Sequence, residues 1–141
     1  MTVSECGILD TSTVILLGRI TDPSTLPNEP LITSITLAEL SVGPLLTTDD
    51  TERAARLAHL QLAESDFEPL TFDAAAARAF GRVAAGLRSA GRKPAARADD
   101  ALIAVTAIST GMPLFTCNPN DFAGIAELDL VAVPHPGQLP T

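Results

Sequence analysis

Residues 99–122, DDALIAVTAISTGMPLFTCNPNDF, decide the fold. Two acids open an apolar, alanine-rich run that reads as a helix over 99–111, with Gly111 as a natural residue just past its end. MPLFTC (112–117) follows as a short apolar strand. NPNDF (118–122) breaks it with a turn in which Pro119 suits the first position of a short helix. A helix feeding directly into an apolar strand is half of an α/β repeat.

The same alternation extends in both directions. CGILD (6–10) is an apolar run that stops at an acid, and TSTVILLGRI (11–20) follows as a short helix capped by Thr11 or Ser12. TDPSTLPNEP (21–30) carries three prolines and reads as a loop. LITSI (31–35) has strand character, and TLAELSVGPLL (36–46) is helical, with Thr36 and Glu39 spaced as a capping box. Another helix occupies 47–65, with an acidic start that suits the helix dipole. FEPLTF (67–72) is a third strand candidate, Asp73 caps a long helix over 74–90, and LDLVAV (128–133) is the last strand. The pattern predicts an α/β domain with a mostly parallel sheet of four or five strands. Residues 1–134 form the domain and 135–141 a short proline-rich tail expected to fray.

Composition sets the bounds. A chain of 141 residues with 46% hydrophobic content buries a real core without a metal or disulfide staple. Trp and Tyr are absent, so that core is aliphatic. Cys6 and Cys117 form no zinc pattern and read as two small buried thiols. No secretory signal or bilayer-spanning run is visible, which predicts a soluble, cytoplasmic, reduced protein with no membrane partner.

The net charge of −8 argues against nucleic acid, but it is unevenly spread. Residues 74–98 contain no acid and carry Arg78, Arg82, Arg88, Arg92, Lys93 and Arg97, six of the nine basic residues. This stretch is either a solvated helix face or a phosphate-attracting patch beside Asp99 and Asp100.

The acids fall at meaningful places. Asp10 ends the first strand, Glu39 and Asp100 sit in first helical turns, and Asn118 and Asp121 follow the end of a strand. In a parallel sheet these positions converge beyond the carboxyl ends of the strands. Taken singly, each has a simpler reading: Asp10 as a cap, Glu39 as the partner of Thr36, Asp99 and Asp100 as dipole-matched starters, Asp121 as a turn cap. Taken together they repel. At about 5 Å and an effective dielectric of 20, one carboxylate pair costs about 3 kcal/mol. A cation or a proton must relieve that cost, and an all-oxygen set points to Mg²⁺ or Mn²⁺ rather than zinc. Phosphate-cradling GxxxxGK[ST] and GxGxxG motifs and the GxSxG nucleophile motif are missing from the sequence.

The segments ILDTS (8–12), SITLAEL (34–40), GRKPAARADDALIAVTA (91–107) and LFTCNPNDF (114–122) together resemble PIN-domain ribonucleases, specifically the VapC-type toxins of bacterial toxin–antitoxin pairs. The resemblance implies a PIN-like three-layer α/β/α domain and metal-assisted hydrolysis of RNA. It implies that Asp10 and Asp100 are the principal Mg²⁺ (or Mn²⁺) ligands and that Glu39 is the second acid, orienting a water or acting as base. Asp100 rather than Asp99 matches the third acid, because it stands three residues before Ile103. The fourth position falls on Asn118, a departure from the acidic pattern, with Asp121 nearby. Thr11 and Thr116 would donate hydrogen bonds at the site. Arg88, Arg92, Lys93 and Arg97 would hold the RNA backbone. A cognate antitoxin would lie against the helices at 36–46 and 50–65, and the resemblance implies a homodimer. Two rival readings are a non-catalytic PIN-like module that binds RNA or protein, and a phosphoryl-accepting domain using Asp73.

Overall fold

Ile8 and Leu9 are adjacent, both wholly buried, and belong to different cores. That is the two-residue alternation of a strand covered on both faces. The computed structural model describes residues 5–91 and 98–138. Four strands, β1 (Cys6–Leu9), β2 (Glu29–Leu31), β3 (Leu114–Thr116) and β4 (Leu130–Ala132), pair in the order β2-β1-β3-β4. All three pairings are parallel, with Ile8 opposite both Leu31 and Leu114, and Leu114 opposite Leu130.

Five helices cover the sheet: α1 (Thr11–Leu16), α2 (Ser34–Val42), α3 (Asp50–Asp66), α4 (Ala74–Ser89) and α5 (Ala98–Thr110). Leu9 and Phe115 face one side, where Val14 of α1, Leu40 of α2 and Ala63 of α3 pack on them. Ile8 and Leu114 face the other, where Ile103, Ala104 and Ala107 of α5 close the layer. Val105 of α5 in turn packs on Ala76, Ala79, Val83 and Leu87, the apolar stripe of α4. The expected three layers and parallel sheet are therefore present, with four strands.

Several local expectations need correction. FEPLTF forms no strand; only Leu70 makes a single parallel bridge to Thr33. Helix α2 begins at Ser34 and is capped by Thr33, whose side chain accepts from the Thr36 N–H. The Thr36–Glu39 capping box does not form, because the helix starts two residues earlier and Glu39 turns to another partner. The strand expected at 31–35 lies at Glu29–Leu31 instead, inside what reads as a proline-rich loop. Pro30 is tolerated there because β2 is an edge strand with one side free of a ladder. Pro136–Gln138 form a 3₁₀ turn. Cys117 is buried as expected, whereas Cys6 is half-buried and donates to Glu29. Gly111 closes α5 at φ +71°, the left-handed geometry that favours glycine. Among the described residues, no helix is long and apolar enough to cross a membrane.

Candidate active site

The chain leaves β1, turns into α1, and returns to β2 on one side of β1, while β3 flanks the other side. The carboxyl ends of β1 and β3 thus border the topological switch point, where open α/β sheets bind ligands. Asp10 stands there. It is 3% exposed and is itself the N-cap of α1, so the cap reading and the site reading describe one carboxylate.

Four donors converge on Asp10. The Thr13 N–H donates to Oδ1 over 3.1 Å, and the Thr13 hydroxyl donates to the same oxygen. Oδ2 accepts from Ser12 Oγ at 3.1 Å and from Thr116 Oγ1 at 2.8 Å. Each of the three hydroxyls is fixed from behind by the segment after β3. The Cys117 N–H donates to Thr13 Oγ1 at 3.0 Å, the Asn118 N–H to Thr116 Oγ1 at 2.9 Å, and Asn118 Nδ2 to Ser12 Oγ at 2.9 Å. An oxygen whose lone pair is already engaged presents its hydrogen in a defined direction.

Glu39 reaches the site from the second turn of α2. Its Oε1 accepts from Thr11 Oγ1 at 2.6 Å, and Thr11 Oγ1 lies 2.9 Å from the fully buried Thr36 hydroxyl. Burial pushes the Glu39 carboxyl above its ordinary value, the Thr11 hydrogen bond opposes this, and the charges of Asp99 and Asp10 raise it further. Asp99 lies close enough to Glu39 for both its charge and its carboxyl oxygens to push Glu39 upward. The sequence treats Asp99 as a cap or neighbour; the structure brings its carboxyl against Glu39. Asp100 follows it in the first turn of α5, half-buried. Asp121 is half-buried in the 3₁₀ turn Pro119–Phe122, and its N–H donates to the Asn118 carbonyl at 3.1 Å.

A cleft of about 310 Å³ opens beside Glu39, lined by Thr11, Ile15, Leu40, Arg56 and His59 among others. Arg56 donates to the Gly43 carbonyl at 2.9 Å and pairs with Glu52. Sequence reasoning assigned Arg56 and His59 no role at the site. Their i, i+3 spacing on α3 was visible, but the packing of α3 on α2 was not.

The basic stretch is only partly at hand. Arg88 is exposed in the last turn of α4, at the end that leads through 91–97 to α5. Arg82 forms a two-bond pair with Glu127, at 3.1 Å for each bond. Arg92, Lys93 and Arg97 lie outside the described residues. Asp73 caps α4 by accepting from the Ala76 N–H at 2.9 Å and ends no strand, which removes the basis for the phosphoryl-acceptor reading. Burial and the nearby Asp10 charge push the Cys117 thiol up against a weaker Thr13 contribution, so it stays a neutral packing group.

The donor set is all oxygen, which suits a hard divalent cation. The upward push of Asp99 and Asp10 on Glu39 is the repulsion that a cation relieves. Among the described residues, no three His, Cys, Asp or Glu side chains form a ready-made metal shell. A hydrated cation bound through one or two carboxylates and several waters is compatible with that spacing.

Comparison with known proteins agrees with this architecture. The PIN domain family model matches residues 8–128. Ribonuclease VapC5 of Mycobacterium tuberculosis is 37% identical over 137 residues, covering 94% of this chain and 98% of the relative. The crystal structure of VapBC-5, a member of the VapBC family of toxin–antitoxin systems from the same organism, superposes with a TM-score of 0.79 at 34% identity, covering 92% of this chain and 99% of that one. VapBC2 from Rickettsia felis, bound to a DNA fragment from its promoter, superposes with a TM-score of 0.69 at 25% identity, covering 91% and 98%. With most of its length inside the family match, and a VapC relative 37% identical across nearly the whole chain, this chain belongs to the PIN-domain family, on its VapC branch.

Proposed function

We propose that this protein is a divalent-metal-dependent ribonuclease, the toxin of a toxin–antitoxin pair. The observation that carries the reading is Glu39, a half-buried carboxyl facing the charges of both Asp10 and Asp99 at the switch point of a parallel sheet. Asp10 and Asp100, with Glu39, would hold the cation, Mg²⁺ or Mn²⁺. When bound, the cation supplies Lewis acidity toward the scissile phosphate and its attacking water.

The protein's own groups do the rest. Glu39, held by Thr11, orients the attacking water and accepts its proton. The hydroxyls of Ser12, Thr13 and Thr116 keep Asp10 in one orientation. Arg88, with Arg92, Lys93 and Arg97, holds the phosphates of the RNA, contacts that weaken as salt rises.

A cognate antitoxin covers the opening. Ile15, Val42, Leu45, Leu46 and Leu57 are exposed on α1, α2, the turn after it, and α3. An apolar segment seated there brings a basic side chain within reach of Glu39 and Asp99, displacing the cation and the RNA. The likeness to VapBC-5, a member of a toxin–antitoxin family, supports that partner.

The test is cleavage of total RNA by the purified protein in Mg²⁺ and in EDTA. Cleavage in Mg²⁺ only, lost in Asp10→Asn and Asp100→Asn, is expected. Equal cleavage in EDTA, or full activity in both folded variants, would falsify the metal reading. RNA binding without cleavage in any divalent ion identifies a binding module instead.

A further inference from the structure

Asn118 occupies the position where the family resemblance calls for a fourth acid, yet its side chain faces a hydroxyl. We propose that Asn118 is a positioning residue for Asp10, acting through Ser12, and is not itself a ligand of the cation. The proposal rests on the metal-dependent reading of the site.

Hydrogen counting carries the argument. Ser12 Oγ has one hydrogen, and it lies 3.1 Å from Asp10 Oδ2 and 2.9 Å from Asn118 Nδ2. Asp10 Oδ2 accepts from Ser12 as it does from Thr116, so it takes that hydrogen. Ser12 must then accept from Asn118, and the Asn118 amide must present its NH₂ rather than its oxygen. This settles the amide's orientation on chemical grounds. The backbone N–H of the same residue does the same work on Thr116, whose hydroxyl also donates to Oδ2. Asn118 therefore supports both donors to one oxygen of Asp10, once through its side chain and once through its main chain.

An aspartate at 118 would undo half of this. It offers no side-chain donor at neutral pH, so two carboxylates would compete for the single Ser12 hydrogen. The asparagine is then required by the presence of a serine two residues after Asp10, and Ser12 and Asn118 act as one unit across 106 residues of sequence.

The test is Mn²⁺ binding to the full chain by isothermal titration calorimetry, with the unfolding midpoint of each variant in metal-free buffer. The variants are Ser12→Ala, Ser12→Thr, Asn118→Ala, Asn118→Asp and the Ser12→Ala/Asn118→Ala double. Positioning predicts a loss of affinity of about 10-fold for Ser12→Ala and for Asn118→Ala. The double variant should be no weaker than the worse single, because both remove the same support. Ser12→Thr retains the hydroxyl and should retain affinity, which a loss of folding alone would not reproduce. Asn118→Asp should bind Mn²⁺ more weakly than wild type. Tighter binding by Asn118→Asp, or additive losses in the double variant, overturns the proposal and makes residue 118 a direct ligand. Wild-type protein that binds no Mn²⁺ overturns the metal reading, and this proposal with it.

Discussion

Thr116 Oγ1 donates to Asp10 Oδ2 over 2.8 Å, joining the end of β3 to the end of β1 with both side chains buried. The contact ties the central strand pair to the candidate site, so that one hydrogen bond serves both the fold and the chemistry. Removing the acceptor therefore has two consequences.

Asp10→Ala should abolish metal-stimulated cleavage and also destabilise the protein. It deletes the cap of α1, worth about 1 kcal/mol. It also strands the buried Thr13 and Thr116 hydroxyls, each at about 1–3 kcal/mol. Urea unfolding should give a loss of roughly 3–7 kcal/mol in total. Asp10→Asn, which keeps one acceptor oxygen, should lose activity with a smaller change in stability.

Glu39 should make the metal-free protein less stable as the pH rises. Its folded value lies above the ordinary 4.5, mainly through burial. A carboxyl raised in this way favours the folded state when protonated. That contribution is complete below the unfolded value and is lost as the pH climbs through the folded one. Urea unfolding in EDTA across pH 4 to 8, about the range that brackets carboxyl titration, should show this fall in wild type and not in Glu39→Gln. Divalent metal should stabilise wild type more than the variant at the upper end. A flat difference between the two proteins across the series would refute the assignment.

Asp99 should behave as part of the site. Asp99→Asn removes one of the charges that hold Glu39 up, so the acid limb of the pH–rate profile should move to lower pH. Asp100→Asn should instead remove cleavage at every pH. A variant at 99 that changes only the unfolding midpoint, with the pH profile unmoved, would return Asp99 to the role of a dipole-matched helix starter.

Gly7 should resist substitution for a reason unrelated to the site. A Cβ there would stand 2.5 Å from Cε1 of Phe115 and 3.1 Å from the Pro27 side chain. Phe115 is buried in the core with Leu9, Val14 and Leu40, so the ring must shift to admit a side chain at residue 7. Gly7→Ala should cost about 1–3 kcal/mol by thermal or urea unfolding, as overpacking of a filled core does. Its specific cleavage rate per folded molecule should be unchanged.

Much of this protein is legible in its sequence because short-range periodicity is a local property. The apolar run at 101–107, the stop at Gly111 and the apolar LFT of β3 each declare their conformation within a few residues. The strand-ending place of Asp10 is legible in the same way, whereas Glu39, read as a first-turn residue, lies in the second turn because α2 starts at Ser34. Boundaries were less legible where tertiary pairing outweighed propensity. Pro30 argues for a loop but lies on an edge where its missing N–H costs nothing. FEPLTF looks like a strand but finds only one residue of sheet to pair with.

What only the tertiary structure decided is the division of labour among polar side chains. Sequence alone places Thr11, Ser12, Thr13, Thr116 and Asn118 near acids, and it separates Asp99 from Asp100 by spacing. It cannot say which hydroxyl donates to which carboxylate, because those contacts span up to 106 residues. Hydrogen-bond direction depends on how many donors and acceptors meet at one point, and only the packing of β1 against β3 brings them together. That packing makes Asp10 both a helix cap and the centre of the site. The approach of α5 to α2, in turn, sets Asp99 against Glu39.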